Sequence, residues 1–195
     1  MIKYDYTYPT YAKILHLGMA GFGITAFLTG EFAEDGANSL GYLLHAYLGL
    51  SLATFILLRG LRGLAGSGPL RFTGWSPFSR QQWTTARQDI VLLLRRKLPE
   101  RGMHEGLAGI TQAFGLAVFA WMGATGTGLF LLAGPGIEPP EFLEAIHEVG
   151  EALIPLYLML HVGSVVIHSL AGNSIWERMW RFGRINRLQQ ADHPT

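Results

Sequence analysis

Residues 142–171 read FLEAIHEVGEALIPLYLMLHVGSVVIHSLA. Glu144, Glu148 and Glu151 are the only carboxylates in this stretch, all in its first third, and it holds no Lys or Arg. The hydrocarbon core of a bilayer is about 30 Å thick and is crossed by about 20 apolar residues of helix. The stretch therefore spans with length to spare, which predicts a tilted or protruding helix. Pro155 lies inside it and predicts a kink. Three further stretches meet the same test: 11–30, 39–61 and 107–133. The first is longer than a usual signal-peptide core and lacks a clear small-x-small cleavage site, so it reads as a retained helix. The 195 residues are read as a single membrane domain. Its fold class is all-α, an integral membrane four-helix bundle.

Composition agrees and narrows the chemistry. Hydrophobic residues make up 49% of the chain and charged residues 15%, against a usual charged share of about 25%. There is no cysteine. That excludes a disulfide, a cysteine-ligated iron–sulfur cluster, a thiolate zinc site, covalent c-type haem attachment and a cysteine nucleophile. Any iron–sulfur relay serving this protein belongs to another chain.

The charges are sorted by side. All fifteen Lys and Arg fall at or before the start of the first span, between spans two and three, or after span four: Lys3, Lys13, Arg59, Arg62, Arg71, Arg80, Arg87, Arg95, Arg96, Lys97, Arg101, Arg178, Arg181, Arg184 and Arg187. The two short loops on the other side carry Glu31, Glu34, Asp35, Glu138 and Glu141. The positive-inside rule then places both termini in the cytoplasm, with a cytoplasmic loop over 62–106 and a cytoplasmic tail over 172–195. No nucleic-acid partner is expected, since no nucleic-acid-binding motif interleaves the arginines. Within the loop, Gly66-Ser67-Gly68-Pro69 breaks the second helix. An amphipathic helix is expected over 79–98, capped by Ser79, with Trp83, Ile90, Leu94 and Leu98 at helical spacing. Its setting is the cytoplasmic membrane surface or a partner subunit.

Seven histidines remain to be placed. His193 is in the polar tail and His104 precedes the third span, while His16, His45, His147, His161 and His168 lie within spans or near their ends. Ionisable side chains inside a membrane are costly, and each is a functional candidate. His147 and His161 are fourteen residues apart, about 40° short of four full turns and about 21 Å along one helix face. By depth, His45 pairs with His147 near the outer surface and His16 with His161 near the inner one. Imidazoles on facing helices suit bis-histidine haem iron. A zinc cage would need all its ligands converging on one point. Glycines give room between helices: Gly18, Gly21 and Gly23 in span one, Gly49 in span two, Gly115, Gly123, Gly126 and Gly128 in span three, Gly150 and Gly163 in span four. Close packing of helices in lipid accounts for them equally well. His168, seven residues past His161, shares its face and competes as the inner ligand. His161 is preferred, leaving His168 and His104 as contacts for a haem propionate or a quinone head group.

The stretches KILHLGMA around His16, LLHAYLGL around His45 and IHEVGEALIPLYLMLH around His147 and His161 carry a resemblance. The chain resembles the bacterial cytochrome b561 and nickel-hydrogenase-type cytochrome b family, which includes the membrane subunits of hydrogenases and formate dehydrogenases. The resemblance covers most of the chain. It implies two b haems ligated in the pairs above, a place in the bacterial cytoplasmic (inner) membrane, and electron passage between a partner redox subunit and membrane quinone. Departures are local: Glu144, Glu148 and Glu151 crowd His147, and the outer loops are short.

On this reading the chain is an electron-transfer subunit. Quinone reacts near the inner haem, with His104, His168 and Gln112 as proton-bearing contacts. Arg59, Arg62 and Arg178 either pair with haem propionates or serve as plain positive-inside anchors. Glu151 reads as a hydrogen-bonding group of the outer site. The acidic outer face either steers a basic periplasmic cytochrome or merely reflects the exclusion of Lys and Arg. Three competing readings make different demands. A stand-alone quinone-coupled oxidoreductase acting on a small oxidant such as superoxide works without a partner. A histidine-lined transporter is colourless. A structural anchor keeps any cofactor when His147 is replaced.

Overall fold

Ser39 and Ser79 start helices in the same way. Each side-chain oxygen accepts a backbone N–H three residues on, from Tyr42 at 3.0 Å and Gln82 at 3.1 Å. Pro9 and Pro140 precede two other helices, where the chain must leave extended geometry. The computed structural model describes residues 8–35, 39–68, 70–133, 137 and 139–180. They form α1 (Thr10–Leu28), α2 (Leu40–Ala65), α3 (Arg80–Leu94), α4 (Gly106–Leu132), α5 (Glu141–Leu170) and the one-turn α6 (Glu177–Trp180). Short 3₁₀ turns cover Gly30–Asp35 and Phe72–Gly74, and there is no strand among the described residues. Lys3, Pro69, Glu138, Arg181, Arg184, Arg187 and His193 lie outside the described residues.

The chain is a multi-pass membrane protein: α1, α2, α4 and α5 are each long and apolar enough to cross. α2 continues past the span boundary at 61 to Ala65 and stops at Gly66, where the glycines are expected to break it, the Gly66 N–H closing on the Arg62 carbonyl. α5 stays one continuous helix through Pro155. Large apolar side chains face outward along the spans, among them Leu57, Leu61, Leu131, Met159 and Val162, as lipid-facing helices require.

α1 packs on α2, α2 on α4 and α4 on α5. Small residues set these approaches. A Cβ at Gly18 would overlap the Phe55 ring, one at Gly115 the Tyr157 ring, and one at Gly150 would come within 2.6 Å of Met122 Sδ. The backbone of α5 packs far less on α1 and α2 than on α4. Side chains bridge that seam.

The helix between spans two and three differs from expectation in its length. It ends at Leu94 rather than near 98, because Arg96 takes a left-handed φ of 56°. The Lys97 N–H then reaches the Leu92 carbonyl and the Arg96 N–H the Leu93 carbonyl, closing the last turn. Its buried residues are Gln82, Ala86 and Asp89, while Trp83, Ile90 and Leu94 are exposed. Polar side chains hold α3 in place. Gln82 Nε2 donates to the carbonyls of His104 (2.9 Å) and Gly106 (3.1 Å). Asp89 accepts from the Leu107 N–H at 3.0 Å and Arg101 Nε at 2.8 Å. These contacts satisfy backbone groups at the start of α4, and the apolar stripe is left facing outward.

Candidate functional site

Two imidazole pairs bridge α5 to its neighbours. His16 of α1 faces His161 of α5 with ring centres 6.0 Å apart and planes at 41°. His45 of α2 faces His147 of α5 at 6.4 Å and 86°. An imidazole nitrogen binds a metal ion at about 2 Å and lies about 1.2 Å from its ring centre, so two rings on opposite sides of one ion have centres about 6.4 Å apart. Both pairs are spaced for one metal each. Among the described residues no group of three or more His, Asp or Glu gathers around one point. Each pair offers two imidazoles.

Hydrogen bonds fix the ring tautomers at one pair. His45 Nδ1 lies 3.0 Å from the Ala26 carbonyl, which can only accept, so Nδ1 carries the proton. His147 Nδ1 lies 2.8 Å from Thr125 Oγ1. The Thr125 hydroxyl already donates to the Trp121 carbonyl at 2.9 Å, so here too the ring donates. Each ring is left with an Nε2 lone pair, the state in which imidazole binds metal. Gly126 faces the His147 ring, and a Cβ there would come within 3.1 Å of its Cε1. Gly49, one turn from His45 on the same helix face, borders open space. The Glu151 carboxylate and the His45 ring both border Gly30, which puts Glu151 beside this pair. The residues present fit a flat bis-imidazole metal group such as haem.

The other pair is held by packing. Tyr157 stacks on His161 at 5.4 Å and 18°. Tyr157 is pinned in turn against Gly115 and edge-on to Phe119 at 5.4 Å.

The remaining expected contacts have separate settings. His168 does not approach His16. Its Nδ1 lies 2.9 Å from the Ser164 carbonyl and its Nε2 3.2 Å from the Pro99 carbonyl, so the ring fastens the end of α5 to the loop after α3. His104 is buried with φ 59°, its ring 5.0 Å from Trp75 and 5.8 Å from Tyr8. Gln112 is half-buried in α4. Arg62 lies over the Tyr11 ring at 4.5 Å, and the Arg178 carbonyl accepts the Tyr8 N–H at 3.2 Å. Arg59 is 2% exposed, far from a surface anchor.

Three contributors escaped the sequence. Tyr157 carries a usable signal, since it lies one turn before His161 on the same face. Thr125 sits in the run GATGTG and carries none. The Ala26 carbonyl belongs to a residue without a functional side chain.

A family model described as prokaryotic cytochrome b561 matches residues 7–182. No curated protein and no solved structure matches the chain.

Proposed function

The chain belongs to the prokaryotic cytochrome b561 family of membrane b-type electron-transfer proteins, and from that premise we propose that it carries electrons across the bilayer between a redox partner and the quinone pool, using two b haems. The observation that supports this reading is the meeting of four imidazoles in two pairs, each spaced for one metal. His45 and His147 hold one haem, His16 and His161 the other. A bound b haem supplies a one-electron iron centre.

The chain's own residues hold and tune the ligands. The Ala26 carbonyl and the Thr125 hydroxyl orient His45 and His147 and strengthen them as donors by taking their Nδ1 protons into hydrogen bonds. Tyr157 sets the plane of His161 by stacking. The two levels are about 21 Å apart along α5, so a transmembrane transfer is divided into shorter gaps. Apolar spans keep water from both levels.

The orientation follows the basic residues: the His16–His161 level is cytoplasmic and the His45–His147 level periplasmic. Quinone coupling belongs to the basic end, where Gln112, His104 and His168 are the contacts to test. The partner is a hydrogenase- or dehydrogenase-like subunit or a periplasmic cytochrome meeting the acidic end at Glu31, Glu141 and Glu144. The test is the reduced-minus-oxidised spectrum of the purified protein with haem counted per chain. Two b haems are expected. A colourless protein overturns the reading.

A further inference from the structure

Among the described residues, two buried side-chain nitrogens have no hydrogen-bond partner, Arg59 Nη2 and Trp75 Nε1. Both belong to one cluster. The Arg59 guanidinium lies 5.6 Å from the Trp75 ring centre and 5.1 Å from that of Phe72, and its Nη1 donates to the Leu70 carbonyl at 3.1 Å. Arg59 and Trp75 are 2% and 5% exposed. Among the described residues no carboxylate forms an ion pair with Arg59. A buried guanidinium without an anion is costly. A buried N–H without an acceptor adds to that cost.

The helix register places this cluster. His45 and His147 face each other and so align α2 with α5. As the second and fourth crossings, these helices run in the same direction. Arg59 follows His45 by fourteen residues, and His161 follows His147 by fourteen. Arg59 therefore lies at the depth of the His16–His161 pair, on the α2 face that carries His45, to within about 40°. A carboxylate is anionic and takes two N–H donors, and the carboxylates a b haem would bring to this depth are its propionates.

We propose that Arg59 and Trp75 form a carboxylate site that takes a propionate of the haem held by His16 and His161. The inference rests on the di-haem reading above. Arg59 supplies the charge and one N–H, and Trp75 supplies a second N–H. Phe72 covers the guanidinium. A buried cation beside a haem favours its reduced form, which carries one more negative charge, so losing the cation lowers that haem's midpoint potential.

The experiment is a redox titration of the purified full chain as wild type, Arg59→Gln, Arg59→Lys and Trp75→Phe, each also in a His147→Ala background that retains the inner haem alone. Arg59→Gln is expected to shift the reduced-to-oxidised ratio of the inner haem at least tenfold towards oxidised, about 59 mV downward for one electron, with the outer haem unmoved. Arg59→Lys restores part of the shift, and Trp75→Phe shifts less in the same direction. Selective loss of the inner haem in Arg59→Gln supports the site equally. Should Arg59→Gln not accumulate, Arg59→Lys and Trp75→Phe decide by the same titration. A two-haem protein whose potentials stay put, or move equally at both haems, overturns the site and leaves the di-haem reading standing. So does loss of a bound anionic lipid with both potentials unchanged, which assigns the carboxylate or phosphate to lipid. A wild type without haem overturns the earlier reading itself.

Discussion

Thr125→Val removes one oxygen and keeps the shape of the side chain. That oxygen accepts the His147 Nδ1 proton at 2.8 Å while the hydroxyl proton goes to the Trp121 carbonyl at 2.9 Å. Valine leaves the imidazole N–H without a partner in an apolar setting, a loss of about 1–3 kcal/mol. Since about 1.4 kcal/mol is a factor of ten, the haem at this pair should bind about 5- to 150-fold more weakly. The pair at the other level, about 21 Å away along α5, should keep its haem unchanged. Thr127→Val is the control, because its hydroxyl bonds the Gly123 carbonyl and no histidine. The assay follows haem transfer from the purified protein to excess apomyoglobin by absorbance. Two release phases are expected, one accelerated by Thr125→Val and neither by Thr127→Val. Equal phases in Thr125→Val and wild type, with one haem already known to depend on His147, would refute the claim that this hydroxyl orients the ring.

The other expectations are simpler to read. Alanine at His45 or His147 should remove one haem and alanine at His16 or His161 the other, whereas His168→Ala should keep both; a haem count with difference spectra checks all five. Gly106→Ala should destabilise the chain by at least about 1–2 kcal/mol, because φ is +61° and a Cβ would strike Asp89 Oδ2; an unchanged thermal midpoint contradicts this. Asp89→Asn weakens two bonds made by a buried carboxylate, to Arg101 and the Leu107 N–H. It should cost about 1.5–3 kcal/mol and open the segment 95–105 to limited proteolysis.

The four spans were legible because each is decided within its own stretch, by length and apolarity. The histidine pairs were legible for a related reason. The fourteen-residue spacing along α5 sets two levels, and two other spans each supply one histidine at a matching depth. The anchoring of α3 was not legible. Trp83, Ile90 and Leu94 mark an apolar stripe and are exposed, but no pattern announces that Gln82 and Asp89 reach the backbone groups at the start of α4. The end of α3 depends on Arg96 in a conformation that favours glycine, which no residue preference announces. His168 shares the face of His161, but its further step of about 10 Å carries it to the Pro99 carbonyl. Arg59 looked like one of many cations at a helix end. Its burial comes from Leu70, Phe72 and Trp75, which fold back over it from beyond the helix.

α5 contributes a ring to both pairs, α1 and α2 one each, and α4 none. The helix works like a camshaft: two lobes on one rigid axle, their relative phase written into the number of residues between them. One residue inserted between Glu151 and Tyr157 would turn one lobe by about 100° against the other and push it about 1.5 Å along the axle. The same insertion ahead of Glu144 would leave the lobes in phase and disturb only how the axle is seated. Length changes inside that interval are thus forbidden by geometry, whatever residues are used.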